Sequence, residues 1–298
     1  MLNPTFPKDM CRFDMSKYVA PQQISNMIVE GNSSISDGVE FRTDEIFGWE
    51  IWKKLNRLGI KKENIYGKKI LEVCGGGGFL TYHLLGKEIK INLTVNDISK
   101  AEIIQSRKLI NKYYPSISIE YIEGDIHKLE FENKFDLIIG NSFLHHFYNV
   151  PQVLAKFNDL LNTDGKFITL HEPTPMATIV ESGKYFFYPI AVLFPNFLNE
   201  LIRKKYKGPI SNTDLWLFKP KEIISIAYDA GYQKVEVQPW HLFRSLNSAK
   251  FKIHLSENKK NLSLIEKKIL QISIYMDSLL NKILPNNFFG SVSIVCTK

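Results

Sequence analysis

Residues 69–81 read Lys-Ile-Leu-Glu-Val-Cys-Gly-Gly-Gly-Gly-Phe-Leu-Thr, and no other stretch constrains the fold of this chain as much. A short apolar, β-rich run from Lys69 to Val73 leads into four glycines and then into a helical pattern from Phe79 to Leu85. Glycines lack a Cβ, so the backbone can turn tightly there and a ligand can come close to it. Such a turn, at the carboxyl end of a buried first strand, lies where open α/β sheets bind ligands. A plain flexible turn would leave the same local signature, so the rest of the chain has to decide between the two.

Strands and helices alternate from here on. Ile91 to Asn96 reads as a second strand, Lys100 to Tyr113 as a helix stopping before Pro115, and Ile117 to Ile122 as a third strand. Phe135 to Ile139 is a fourth strand, and Val150 to Leu161 a helix closed by the turn Asn162-Thr163-Asp164-Gly165. Lys166 to His171 is a fifth strand. Pro220 to Ala230 reads as a helix before Gly231, and Gln233 to Gln238 as a sixth strand. Asn261 to Leu284 is helical, with Leu262, Ile265, Ile269, Ile272 and Met276 on one stripe. Ser291 to Cys296 alternates as a last strand, expected beside the fifth and antiparallel to it. The pattern predicts an α/β, Rossmann-like doubly wound sheet of seven strands, mostly parallel with an antiparallel C-terminal strand, plus helical insertions. It divides the chain into an N-terminal helical cap over residues 1–66 and a core over residues 67–298. Lid-like insertions are expected at about residues 173–218 and 245–287.

Two acidic residues follow the glycine loop in order. Asp97 ends the second strand, 25 residues after Glu72, near the offset at which a carboxylate accepts both ribose hydroxyls. As a helix N-cap it would compete with Ser99. Gly124-Asp125-Ile126 follows the third strand; there a carboxylate can accept from an adenine amino group and an apolar neighbour can cover the ring, or the three residues can be a simple turn. In this order each feature ends a successive strand at one edge of the sheet, and a nucleoside site explains all of them.

A dinucleotide fingerprint would want glycine where Thr81 stands. The stretch from Glu72 to Gly78 instead resembles the E/D-x-G-x-G-x-G signature of class I S-adenosylmethionine-dependent methyltransferases. The resemblance extends to Asn96-Asp97, Gly124-Asp125, the run from Phe135 through Asn141 to His146, and Leu161 to Phe167. It covers roughly residues 68–173 and resumes weakly over residues 220–238 and the last strand. It implies S-adenosylmethionine as cofactor. Glu72, Cys74 and Gly75 would shape the loop, and Gly76 and Gly78 would let the backbone meet the methionine portion. Asp97 with Ile98 would hold the ribose side, Asp125 and Ile126 the adenine, and Asn141 the methionine portion from the fourth strand. One departure stands out: Cys74 occupies the signature's first glycine position, where positive φ is expensive, so Gly75 and the later glycines are expected to absorb the turn.

Methyl transfer requires an acceptor aligned with the S–CH₃ bond and, for a hydroxyl, a base. His145, His171 and Glu172 fall at the ends of the fourth and fifth strands and are the catalytic candidates, His145 as a substrate-proximal group and His171 or Glu172 as base. Each is also compatible with a purely structural, hydrogen-bonded role. Tyr18, Trp49 and Trp52 lie in the cap segment. The dispersed histidines form no HExxH helix, and no metal is expected.

The net charge of +7 is mostly lysine in short runs, as on solvated helix faces. The loop after the fourth strand, Gly140-Asn141-Ser142-Phe143, lacks the [DN]PP[YF] pattern of adenine amino-methyltransferases, and no Pro-Cys dipeptide is present for cytosine C5 chemistry. A small-molecule acceptor is therefore expected: a sugar, a glycan precursor or another secondary metabolite. The competing readings are a nucleic-acid methyltransferase, a non-catalytic cofactor-binding protein and, third, an NAD-dependent dehydrogenase. The three cysteines form no CxxC pair, and the N-terminus lacks signal-peptide regions, so a cytoplasmic setting is expected. The apolar run from Tyr185 to Leu198 is broken by Pro189 and Pro195 and is too short to span a bilayer, which leaves peripheral membrane contact as the minority reading.

Overall fold

The computed structural model describes residues 11–12, 43–86, 91–147, 149–174, 176–177, 216–243 and 262–298. Tyr18, the apolar run from Tyr185 to Leu198, most of the first expected insertion and residues 245–261 of the second lie outside them.

Seven strands form one sheet: β1 (Lys69–Val73), β2 (Asn92–Asp97), β3 (Glu120–Glu123), β4 (Phe135–Asn141), β5 (Leu161–Pro173), β6 (Lys234–Trp240) and β7 (Ser291–Thr297). Their spatial order is β3-β2-β1-β4-β5-β7-β6. The first five are parallel, and β7 runs antiparallel to both β5 and β6. Strands β5 and β6 therefore point the same way, and their carboxyl ends share one rim. A two-residue bridge, Cys11–Arg12 with Trp216–Leu217, lies apart from the sheet.

Among the described residues the α-helices are α1 (Glu45–Arg57), α2 (Phe79–Leu85), α3 (Lys100–Tyr113), α4 (Val150–Leu160), α5 (Pro220–Asp229) and α6 (Leu264–Leu280). The two-residue period of the strands divides the core between the sheet's faces. In β4, Ile138 packs with Val153, Leu154 and Phe157 of α4 and Ile223 of α5. Its neighbours Leu137 and Ile139 pack with Ile51, Trp52 and Leu55 of α1 and with Leu80 and Leu84 of α2. Helix α1 thus joins the core itself, with Asp44 as its N-cap.

Three local expectations are corrected. Residues 162–165 do not simply end α4: β5 begins at Leu161, and its pairing with β4 jumps from Phe135–Leu161 to Leu137–Lys166, so the turn is an excursion within the strand, with Asp164 at φ 60°. Strand β3 starts at Glu120, later than the apolar run from Ile117 suggests. Helix α6 buries Leu270, Ser273, Ile274 and Asp277 and leaves Ile265, Ile272 and Met276 exposed. The inward stripe is partly polar because the Asp277 carboxylate accepts from the backbone N–H groups of His241 (3.0 Å) and Phe243 (2.7 Å).

Candidate active site

The glycine loop is built against β2. Gly75 N–H donates to the Asn96 carbonyl at 3.0 Å, and Gly76 N–H to Asp97 Oδ2 at 2.9 Å. Gly78 is the N-cap of α2 at φ 88°, and a Cβ there would lie 2.6 Å from Ser106 Oγ and 3.1 Å from Ser106 Cα. Gly78→Ala is therefore expected to cost at least about 2 kcal/mol, from the left-handed backbone and the overpacking against α3 together, read by urea denaturation. The expectation that Gly75 and the later glycines would absorb the turn holds in part: Gly76 (φ 50°) and Gly78 (φ 88°) are left-handed, but Cys74 itself also takes φ 52°. It is one of five non-glycine residues with positive φ among the described residues, and it stores the strain glycine would have avoided. Burial pushes its thiol pKa well above the usual range, helped by the charges of Asp97, Glu172 and Asp125. This makes Cys74 a poor nucleophile.

Glu72 is buried and accepts from Thr81 Oγ1 at 2.6 Å. Burial raises its pKa to about 8, with Asp97 adding to the shift and the Thr81 hydrogen bonds opposing it. Thr81, the residue that departs from the dinucleotide pattern, is thus the partner of the loop's acid.

Asp97 is 7 % exposed, and burial raises its pKa against the hydrogen bonds from Ser99, Gly76 and Ile98. Its Oδ1 accepts from Ser99 N–H at 2.8 Å, while Ser99, not Asp97, is the N-cap of α3. Each carboxylate oxygen keeps acceptor capacity, which suits a vicinal diol. Asn96 is a member that the sequence reading did not single out: its Nδ2 donates to the carbonyls of Ile122 and Gly124. With Gly124 N–H on the Asp97 carbonyl at 3.0 Å, this fixes Asp125 beside Asp97. Asp125 is half-buried and accepts from His127 N–H. Ile126 is given to the core, 3 % exposed, and offers no face to a ring; Ile98 is only half-buried and keeps one.

Glu172 is fully buried at the end of β5. Its Oε1 accepts from Phe143 N–H (3.1 Å) and Leu144 N–H (2.9 Å) and from the Thr169 hydroxyl. Its Oε2 accepts from His145 N–H (3.1 Å) and faces His145 Nδ1 at 2.7 Å. Burial alone would raise its pKa; the His145 imidazole and these donors outweigh that and hold it below the usual carboxylate range. The pair braces the loop after β4, so neither Glu172 nor the 4 % exposed His145 faces an acceptor.

His171 differs. Its Nδ1 lies 2.8 Å from Asn141 Oδ1, and its Nε2 meets Lys54 Nζ. Lys54 Nζ also contacts Glu50 Oε1 (2.6 Å) and His241 Nε2 (3.0 Å), and the two imidazoles stack at 4.5 Å between centroids. Glu50, Lys54 and His241 were not singled out by sequence. An i,i+4 Glu–Lys pair ordinarily sits on a solvated helix face, but here both residues are buried. His241 had a visible signal, since it follows the end of β6 as His171 stands near the end of β5.

Residues 71–169 match the family model described as "Methyltransferase domain". The chain is 34 % identical over 104 residues to a phthiotriol/phenolphthiotriol dimycocerosates methyltransferase of Mycobacterium leprae, covering 34 % of this chain and 37 % of that protein. It is 31 % identical over 99 residues to a malonyl-[acyl-carrier protein] O-methyltransferase of Priestia megaterium, covering 33 % and 35 %. The aligned part thus spans little more than a third of these relatives. Among solved structures it resembles the Haemonchus contortus phosphoethanolamine N-methyltransferase 2 bound to S-adenosyl-L-methionine, at 15 % identity and TM-score 0.57, covering 94 % of this chain and 60 % of that one. That likeness speaks for the fold. The family match falls on the strand–glycine–helix unit and the carboxylate rim described above, and S-adenosylmethionine is the cofactor that rim fits. Residues 71–169 are thus similar to a methyltransferase domain, set in a fold like that of a methyltransferase solved with S-adenosyl-L-methionine.

Proposed function

We propose that this protein transfers the methyl group of S-adenosylmethionine to a small-molecule acceptor held where β4, β5 and β6 end. The observation that carries the reading is the gathering of Gly76, Asp97, Asp125 and Asn141 at one rim, with Asn141 bonded directly to His171. Gly76 and Gly78 would lie against the methionine portion, Asp97 would hold the ribose hydroxyls, Asp125 and Ile98 the adenine, and Asn141 the amino-acid end. The Asp97 carboxylate, bonded to the glycine loop, suits a cationic sulfonium nearby. The cofactor brings an activated methyl group, and the protein's contribution is alignment, which reaches about 7–11 kcal/mol in favourable intramolecular models.

His171 is the acceptor-side residue of this reading, orienting the nucleophile, while Glu172 and His145 position the loop. A sugar, a glycan precursor or another secondary metabolite is the acceptor class put forward. Two relatives are named for phthiotriol/phenolphthiotriol dimycocerosates and for malonyl-[acyl-carrier protein], and among the described residues no helix is long and apolar enough to cross a membrane.

Calorimetry with S-adenosylhomocysteine, with NAD as control, tests the cofactor assignment. Mass spectrometry of metabolites and glycans from a deletion strain, seeking loss of a methyl-sized increment, identifies the acceptor. With that acceptor, His171→Asn, which tolerates the left-handed backbone at φ 63°, is expected to lower kcat on the order of 10²-fold. S-adenosylhomocysteine affinity should stay within about twofold. Unchanged kcat would remove His171 from the acceptor side.

A further inference from the structure

Glu50, His171 and His241 come from three parts of the chain, yet their donor atoms converge on one point. Two imidazoles and a carboxylate are a ligand set that transition metals of borderline softness take. Glu50 Oε1 stands 3.1 Å from His241 Nε2 and 3.6 Å from His171 Nε2. A tetrahedral ion with bonds of about 2.0–2.1 Å has ligand–ligand edges of about 3.3–3.4 Å, so the two Glu50–histidine pairs already stand near the required spacing, and all three donor atoms lie within 4.8 Å of one another.

Three further observations agree. The Asn141 side chain on His171 Nδ1 fixes the tautomer that leaves Nε2 as a donor atom, as outer partners of metal-bound histidines do. His171 and His241 both hold left-handed backbones, at φ 63° and 65°, the kind of strain that persists where surrounding structure enforces a functional arrangement. And the point of convergence already holds a positive charge, because Lys54 Nζ contacts all three donors.

We propose that Glu50, His171 and His241 form a binding site for a divalent transition metal, zinc being the type ion, and that the Lys54 ammonium stands in for the metal when none is bound. This departs from the sequence expectation of no metal. The site's place beside the acceptor rests on the methyl-transfer reading; its metal chemistry does not. Lysine and metal compete for one position, and the Trp240 ring, 5.3 Å from Lys54 Nζ, offers the displaced ammonium a resting place.

The test is a titration of the full chain with Co²⁺ as spectroscopic probe and Zn²⁺ by calorimetry, without cofactor. Lys54→Met, which removes the ammonium but keeps the chain length, is expected to bind one equivalent at least tenfold more tightly than wild type. The further change His241→Ala should abolish uptake. Should Lys54→Met fold poorly, wild type supplies a second measurement: saturating Zn²⁺ should raise its Tm, and His241→Ala should remove that shift. The proposal is overturned if Lys54→Met binds S-adenosylhomocysteine normally but takes up no metal, if uptake survives His241→Ala, or if Zn²⁺ leaves the wild-type Tm unchanged. Failure of S-adenosylhomocysteine to bind wild type would count against the methyl-transfer reading alone, since metal uptake is read without it.

Discussion

Asp97→Ala is expected to weaken S-adenosylhomocysteine binding by about 10- to 100-fold at neutral pH, read by calorimetry. Hydrogen bonds to a charged acceptor are worth about 1.5–3 kcal/mol, and about 1.4 kcal/mol is a factor of ten in affinity. The expected range corresponds to the net loss of one such bond between the carboxylate and the ribose diol. The same carboxylate takes the Gly76 and Ser99 N–H groups, so its removal also loosens the loop that meets the methionine portion. Asp97→Asn separates the two effects. It keeps one carbonyl oxygen for a backbone donor, so a loop-only role would leave most of the affinity in place. A ribose role would lose nearly as much as in the alanine variant, because the amide donates where the diol needs an acceptor. Affinity within twofold of wild type in Asp97→Ala would remove Asp97 from the cofactor site.

The parts legible in the sequence are those whose signal is local. Lys100 to Tyr113 is read to the residue because Ser99 caps it and Pro115 forbids its continuation. Gly76, Asp97 and Asp125 are legible because each lies at or just beyond the carboxyl end of a strand, and parallel strands bring those ends to one rim. The illegible parts depend on partners remote in sequence. The inward stripe of α6 carries Ser273 and Asp277, which hydrophobic periodicity ranks as surface; only the end of β6, with two backbone N–H groups to satisfy, makes Asp277 an inward residue. Glu50 and Lys54 read as a solvated i,i+4 pair until α1 is placed against His171 and His241. Cys74 misleads in another way: propensity gives left-handed backbone to the glycines, as Gly76 and Gly78 take it, yet with Gly75 and Gly76 hydrogen-bonded to β2 the loop needs it at Cys74 as well.

Glu172→Ala is expected to lower stability by about 3–5 kcal/mol, the range for breaking a buried, hydrogen-bonded charge pair. For a chain somewhat larger than those giving about 2–4 °C per kcal/mol, this is a fall in Tm on the order of 10 °C. The variant strands the N–H groups of Phe143, Leu144 and His145, the Thr169 hydroxyl and the His145 ring without their common acceptor. Glu172→Gln should recover little of the loss, because its amide NH₂ must face one of these donors. The pH dependence has a definite sign. The folded-state pKa of Glu172 is depressed, so its stabilising contribution is present above the unfolded carboxylate pKa and is lost as pH falls through the folded value. The gap between wild type and Glu172→Gln should therefore be widest at neutral pH and close in acid, in thermal melts over that range. If instead both variants melted with wild type while the pH profile of kcat moved, the carboxylate would be acting on a proton in the reaction, and the brace described for the loop after β4 would have to be given up.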